Sequence, residues 1–317
     1  MRGVFLDFET VSSGDVNTDA LVDTGVAFDF HGITPPGRVV ERIGEREVVV
    51  TNKLRLGEAQ FDAATNLGLV CLVATGTDNV DLDAAAARGI GVCNIEGYCT
   101  ASVVQHVFAL ILSLNHHLSG YARRLQEGAW TSSPQFCVLD FRIREFAGKT
   151  MGIIGLGELG SGVARLAEAL GMRVIAAQRP GGPPTPGRLP VDDLLTQADI
   201  VSLHCPLTPA TRGLIGEREL GLMKPEAFLI NTARGALVDS AALAAALRAG
   251  RLAGAGIDVL PQEPPVDGDP LLAADIPNLI ITPHVAWAAV EARQRAIDEV
   301  AANIASFVAG GQRGRVV

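Results

Sequence analysis

Thr150-Met-Gly-Ile-Ile-Gly-Leu-Gly-Glu-Leu-Gly-Ser-Gly162 reads as a buried strand (Met151–Ile154), a glycine-rich turn and the start of a helix (Leu159–Leu170). Gly155, Gly157 and Gly160 carry the spacing G-x-G-x-x-G. The first glycine of such a turn permits the tight bend off the strand. The second lets backbone come close to a pyrophosphate, and the third lets the helix pack on the strand. A helix starting there turns its amide N–H groups and the positive end of its dipole toward phosphate. The spacing alone is a weak signal, but here a strand precedes it, a helix follows, and a second strand (Arg173–Ala177) comes next. The stretch predicts a dinucleotide site, so the chain is read outward from it.

The remainder of residues 150–282 continues the pattern. Strand-like runs are expected at Ile200–His204, Ala227–Asn231, Ala255–Val259 and Leu279–Thr282. Helices are expected at Asp192–Thr196 and at Ser240–Ala249, the latter capped by Ser240. Six strands joined by crossovers make a doubly wound sheet, with ligands bound beyond the carboxyl ends of its strands. Gln178, His204, Thr232, Arg234, Asp258 and His284 stand at those ends and are expected to line one crevice. Residues 1–98 alternate in the same way. Strands are expected at Val4–Asp7, Val48–Thr51, Leu69–Ala74 and Ile90–Asn94, and a helix at Leu82–Arg88 capped by Asp81. By the same rule Asn52, Lys53 and the loop Thr75-Gly76-Thr77 form a candidate substrate-facing rim. Thr100–Leu118 reads as one long apolar helix, buried at a domain or subunit boundary. His106 on it is read as a satisfied core histidine, and His116 and His117 as cations complementing its end. Trp130 and Phe136 follow in a loop rich in Ser and Pro, and Glu291–Gly310 is an amphipathic helix packing back on the first domain.

Composition sets the outer limits. The chain has 317 residues, 48% hydrophobic and 19% charged, enough for two domains with substantial cores. Its net charge of −9 argues against a broad nucleic-acid or anionic-membrane surface, though not against a small basic pocket. Asp7 interrupts the first apolar run, so no signal segment is read there, and no run approaches membrane-spanning length. The five cysteines (71, 93, 99, 137 and 205) show no C-x-x-C spacing and no zinc pattern, so no metal is expected and they read as reduced, buried thiols of a cytoplasmic protein.

Three ionisable residues past strand ends could carry chemistry: Arg234, Glu263 and His284. An arginine grips a carboxylate with two parallel hydrogen bonds and stays charged. A histidine moves a proton near neutrality, and a neighbouring carboxylate orients its ring and favours the imidazolium. Beside a nicotinamide, Arg234 would hold a 2-keto acid while His284, paired with Glu263, protonates the developing alkoxide. On spacing alone the same residues equally fit a phosphate contact, a solvated loop acid and a turn residue.

At this point the chain resembles the D-isomer-specific 2-hydroxyacid dehydrogenases. The matching stretches are Gly76-Thr-Asp-Asn-Val-Asp81, Gly155-Leu-Gly-Glu-Leu-Gly160, Leu203-His-Cys-Pro-Leu-Thr208, Met223-Lys-Pro, Ile230-Asn-Thr-Ala-Arg-Gly235, Asp258-Val-Leu, Glu263-Pro-Pro265 and Thr282-Pro-His284. The resemblance implies a Rossmann cofactor domain (99–286) inserted in a flavodoxin-like substrate domain (1–98 with 287–317). It implies Arg234, Glu263 and His284 as the catalytic trio. It implies Lys53 near the substrate carboxylate, and Thr75 with Thr232 to Arg234 lining the cofactor. Cofactor contacts are implied for Gly155, Gly157, Glu158, Leu159, Gly160, Gln178, Arg179, His204, Cys205, Pro206, Thr211, Thr232, Ala233, Asp258 and Ala286. Relatives are commonly homodimers through the helix after residue 99. Thr51-Asn-Lys53, Gly97-Tyr-Cys-Thr100, Gln105-His-Val-Phe-Ala109 and the Trp130 to Cys137 loop look most like the glycerate dehydrogenase/hydroxypyruvate reductase branch, with hydroxypyruvate or glyoxylate as substrate. The pattern departs at one place. Where an acidic residue would bind the ribose 2′-hydroxyl of NAD stand Gln178 and Arg179, so NADPH is expected to be accepted and somewhat favoured over NADH. Two other readings stay open: a nucleotide-sensing binding protein of the same fold, and a dehydrogenase of another small acid.

Overall fold

A computed structural model describes all of Met1–Val317. The chain divides into two compact units, Met1–Cys99 with Trp287–Val317, and Thr100–Ala286. Cys99, expected at the start of the insert, belongs to the first unit.

The first unit holds five parallel strands: β1 (Arg2–Phe5), β2 (Ala27–Phe30), β3 (Val48–Thr51), β4 (Leu69–Leu72) and β5 (Gly91–Cys93). Their order is β2-β1-β3-β4-β5, the flavodoxin order. The two strands buried along their whole length in the middle of the sheet, β3 and β4, are Val48-Val-Val-Thr51 and Leu69-Val-Cys-Leu72. Such near-continuous apolar runs are what a sheet covered on both faces requires. One face carries the last helix, Val290–Val308, whose Ala296, Ile297, Val300 and Ile304 pack with Phe5, Val48 and Cys71. The other face carries Val39, Ile43, Phe61, Ala84 and Ala85. Strand β2 was not foreseen: Ala27-Phe-Asp-Phe30 is a largely exposed edge strand without an apolar run. Strand β1 begins and ends two residues before the expected Val4–Asp7, leaving Asp7 past its end.

The second unit holds six parallel strands: β6 (Thr150–Ile154), β7 (Arg173–Ala176), β8 (Ile200–Leu203), β9 (Phe228–Asn231), β10 (Gly254–Ile257) and β11 (Leu279–Ile281), in the order β11-β10-β9-β8-β6-β7. The strand outside β7 in the dinucleotide-binding order is present only as a single parallel bridge, Ala177 with Leu189. The direction of strand order reverses between β6 and β8, so their carboxyl ends flank the switch point where such sheets bind ligands.

The expected long helix is two helices, Thr100–Asn115 and Leu118–Gln126, because His117 adopts a left-handed backbone (φ 49°) and stacks its ring on Phe141. His117 therefore stands ahead of a second helix as well as behind the first. The first helix lies against β10, where a Cβ on Gly256 would meet Leu110, and against the helix Glu158–Ala169, where a Cβ on Gly162 would meet Val104. Its outer stripe, Ala101, Gln105, Ala109 and Leu112, is exposed. The helix Ser240–Arg248 is capped by Asp239, not Ser240: the Asp239 carboxylate accepts from the amides of Ala241 and Ala242. The Asp81 cap forms as expected, accepting from Ala84 N at 2.9 Å. Cys71, Cys93 and Cys205 are buried, whereas Cys99 and Cys137 are only half-buried. No helix is long and apolar enough to cross a membrane.

Candidate active site

The glycine-rich turn leaves β6 at Gly155, whose φ of +100° disfavours any side chain. A Cβ there would also run into the backbone of His204 and Cys205, just past β8. Gly160 packs its Cα onto the Gly155 carbonyl, which a Cβ would displace. Gly157 differs: a Cβ built on it meets nothing within 4 Å. It is the N-cap of Glu158–Ala169 and has no side chain to satisfy the first amides of that helix. The turn thus places open space in front of a helix N-terminus, as a pyrophosphate needs. Leu159 follows half-buried, and the Glu158 carboxylate accepts from Thr100 Oγ1 at 2.5 Å.

Beyond the turn, the ends of β7 and β8 flank an open cleft of about 490 Å³. Arg179 to Pro183 form one wall; Cys205, Pro206 and Thr208 to Thr211 form the other. Gln178 is fixed through its amide to Leu189 O (2.7 Å), and Arg179 is exposed. Thr211 shapes the wall from behind. Its hydroxyl donates to Pro206 O at 2.8 Å and accepts from Thr208 N at 2.7 Å.

Two buried side-chain atoms on this rim have no hydrogen-bond partner in the chain: His204 Nδ1 and Thr232 Oγ1. The other His204 nitrogen pairs with Ser202 Oγ at 2.9 Å, and burial pulls the imidazole down to a pKa of about 4, so it is neutral at pH 7. Buried polar atoms are nearly always paired. Two orphans beside a glycine turn and a cavity of this size fit a dinucleotide bound across the carboxyl ends of the sheet.

The loop after β9 is stapled by buried Asn231, which accepts from Ala233 N (3.0 Å) and donates to Arg234 O (2.9 Å). This holds Ala233 and half-buried Arg234 at the strand end, with the guanidinium donating to Ala233 O. Gly235 rests against the backbone of Leu260 and Pro261. That same Leu260 offers its amide to Glu263 Oε1 at 2.9 Å, and Glu263 Oε2 meets His284 Nδ1 at 2.6 Å. One run of contacts therefore links the loops bearing Arg234, Glu263 and His284.

His284 sits on the turn after β11 with φ +55°, an uncommon conformation for a residue with a Cβ. Asp258, 1% exposed at the end of β10, holds that turn. Its carbonyl accepts from His284 N (2.7 Å), Oδ1 from Thr282 Oγ1 (2.5 Å) and Val285 N (2.9 Å), and Oδ2 from Ala286 N (2.9 Å). Asp258 and Ala286, expected beside the cofactor, are thus placed first as the frame of the His284 turn.

The rim of the first unit is built around Asp7, whose buried carboxylate accepts from Asn52 N (2.9 Å) and Lys53 N (2.8 Å). Asn52 also donates from Nδ2 to Thr10 Oγ1 at 3.1 Å, and Lys53 is exposed. Thr75 donates to Ile95 O at 2.8 Å, and Gly76 and Thr77 follow half-buried in the same loop. Sequence reasoning passed over Asp7, Asn231, Ser202 and Thr282 as framework. The one available signal was an Asp in an apolar run, which a packed sheet tolerates only with partners.

Comparison with known proteins follows the same lines. Residues 108–286 match the D-isomer specific 2-hydroxyacid dehydrogenase NAD-binding domain. The chain is 45% identical over 282 residues to a glycerate dehydrogenase of Methylorubrum extorquens, covering 89% of each. It is 37% identical over 316 residues to a hydroxypyruvate reductase of Blautia hydrogenotrophica, covering 98% of each. Among solved structures, a Thermus thermophilus protein superimposes with a TM-score of 0.88 over 100% of both chains at 33% identity.

Proposed function

Because the chain belongs to the D-isomer-specific 2-hydroxyacid dehydrogenase family, we propose that it transfers a hydride between a nicotinamide cofactor and a small 2-keto or D-2-hydroxy acid, with hydroxypyruvate or glyoxylate as the substrate. The observation that carries this reading is the 2.6 Å pair of His284 and Glu263 on the rim that also holds the glycine turn.

The bound nicotinamide supplies the hydride in reduction and accepts it in oxidation. The chain's own residues do the rest. The Gly155–Gly160 turn, the Glu158–Ala169 helix and the Arg179–Thr211 cavity would hold the dinucleotide, with the unpartnered Thr232 Oγ1 and His204 Nδ1 free to pair with its polar atoms. Arg234 binds the substrate carboxylate and turns the carbonyl carbon toward the ring. With Nδ1 on Glu263, His284 delivers a proton from Nε2 to the developing alkoxide, and takes it back in oxidation. Glu263 fixes the imidazole plane and tautomer. On the first unit, Asn52, Lys53 and the loop Thr75–Thr77 serve the acid, Lys53 adding charge for its carboxylate. The exposed stripe of the helix Thr100–Asn115 is proposed as the homodimer face. At the adenosine end, Gln178 offers no carboxylate to repel a 2′-phosphate and Arg179 offers a cation to pair with it, so NADPH is proposed as the somewhat favoured cofactor.

The test is a set of initial rates with hydroxypyruvate, glyoxylate and pyruvate, each with NADPH and with NADH. Turnover of hydroxypyruvate or glyoxylate is expected, with a higher kcat/KM for NADPH. A tenfold preference for NADH, about 1.4 kcal/mol, removes the Gln178-Arg179 argument. In the same assay His284→Ala should lower kcat by about 10²- to 10⁴-fold while NADPH still binds by fluorescence titration. Near-normal rates in that variant would overturn the mechanism.

A further inference from the structure

We propose that His106 is a positioning residue for this reaction, acting through Thr282 and Asp258 to fix the turn that carries His284; the inference rests on the acid/base reading of His284 above. His106 lies half-buried on the helix Thr100–Asn115, 176 residues before Thr282 in the chain. Its Nε2 is 2.9 Å from Thr282 Oγ1 and 3.5 Å from Asp258 Oδ1.

The direction of these bonds follows from proton counting. A threonine hydroxyl has one hydrogen. Thr282 uses it on the acceptor-only carboxylate of Asp258, at 2.5 Å. Toward His106, therefore, Thr282 accepts, and Nε2 carries the hydrogen. The chain His106 to Thr282 to Asp258 has a single polarity, with each bond strengthening the next. At its end the Asp258 carboxylate takes the amides of Val285 and Ala286, while its own carbonyl takes the amide of His284. The residues around His284 are thereby tied to one aspartate, and the hydroxyl that anchors the near side of the turn is oriented by His106.

This matters because His284 holds a positive φ, a conformation that persists only where its surroundings over-determine it. Removing the His106 donor leaves the Thr282 side chain one partner fewer and lets the turn relax. A shift of about 1 Å in a proton donor can cost on the order of a hundredfold in rate. The helix Thr100–Asn115 thus does more than fill space against β10: its His106 reaches the framework of the turn that carries the acid/base.

The test compares His106→Leu, His106→Gln, Thr282→Val, Thr282→Ser and the double variant His106→Leu/Thr282→Val. Gln keeps a donor at the reach of Nε2, and Ser keeps the hydroxyl. We expect His106→Leu and Thr282→Val each to lower kcat by about 10- to 100-fold with the KM for NADPH within twofold, His106→Gln and Thr282→Ser to recover most of the loss, and the double variant to be no worse than the poorer single one. Hydrogen exchange of the peptide spanning Val285 and Ala286 should speed up in His106→Leu and return in His106→Gln. A kcat within twofold of wild type in His106→Leu, or losses that multiply in the double variant, would overturn the proposal. If wild-type protein turns over no 2-keto acid, the functional reading fails by itself; unchanged exchange in His106→Leu then overturns the positioning claim, and faster exchange upholds it.

Discussion

The rims of the two units solve different problems with the same sheet architecture. On the first unit the buried Asp7 carboxylate, Asn52 and Thr75 all spend their hydrogen bonds within the chain. On the second, Asp258 does likewise, but His204 Nδ1 and Thr232 Oγ1 are buried with no partner in the chain. The polar atoms of the first rim named here are paired by folding, whereas two of the second are left for the dinucleotide proposed above. The lesson is that a parallel sheet presents its strand ends for binding in either case. Whether a rim is rigid or receptive depends on whether its polar atoms find backbone nearby.

The largest effect that would sharpen this contrast comes from Gly157. A Cβ there meets no protein atom within 4 Å, so Gly157→Asp should leave the thermal midpoint close to wild type. Its charge at the phosphate position should weaken NADPH binding by more than about a hundredfold, measured by fluorescence titration. Tight binding in that variant would show that the open space is not the pyrophosphate site.

His204 gives the next effect, in stability. Its folded pKa of about 4 lies below the ordinary histidine value because the ring is buried. The unfolded chain therefore takes up a proton between about pH 6.5 and 4 that the folded chain refuses. The stability this group contributes is present above pH 6.5 and is lost as pH falls toward 4, by up to about 3 kcal/mol. In urea unfolding across that range, His204→Asn should show a shallower loss than wild type. Parallel curves would mean the ring is solvated and the receptive rim less dry than described.

Asp7 should give the smallest effect. Burial raises its pKa, outweighing the amides of Lys53 and Asn52 that pull it down. A raised folded pKa means stability that is full below the unfolded value near 4 and falls as pH rises through the folded value. Relative to Asp7→Asn, wild type should therefore lose ground in urea unfolding as pH rises through that window and stay level above it. The same variant keeps one acceptor oxygen and should raise the KM for the keto acid more than that for NADPH. An equal rise in both would erase the distinction between the rims.

Much of this was readable from residues. Apolar runs such as Val48–Thr51 and Met151–Ile154 announce buried strands, and the glycine spacing announces the turn, because each depends on local chemistry. The exposed edge strand Ala27–Phe30 has no apolar run to betray it. The break at His117 depends on a ring stacking on Phe141, twenty-four residues on. Asp239 and Ser240 are both good caps, and only the backbone decides between them. In the site, Arg234, Glu263 and His284 stand out as ionisable groups at strand ends. The framework behind them does not: Asp7, Asn231 and Thr282 are ordinary polar residues until the fold brings a second loop to them. His106 was read as a satisfied core histidine, and it is satisfied; what its sequence position could not show is whom it satisfies.

The single bridge between Ala177 and Leu189 has a consequence for how such a protein can change over generations. With no strand ladder there, Pro180 to Arg188 contribute little to the cooperative fold, and lengthening a surface loop twofold costs only about 0.6 kcal/mol. The segment that supplies part of the Arg179 wall of the cavity can therefore change length at little cost to its unit. A lineage could exchange one dinucleotide preference for another through drift in that loop, with the sheet, the acid/base and the substrate rim inherited intact.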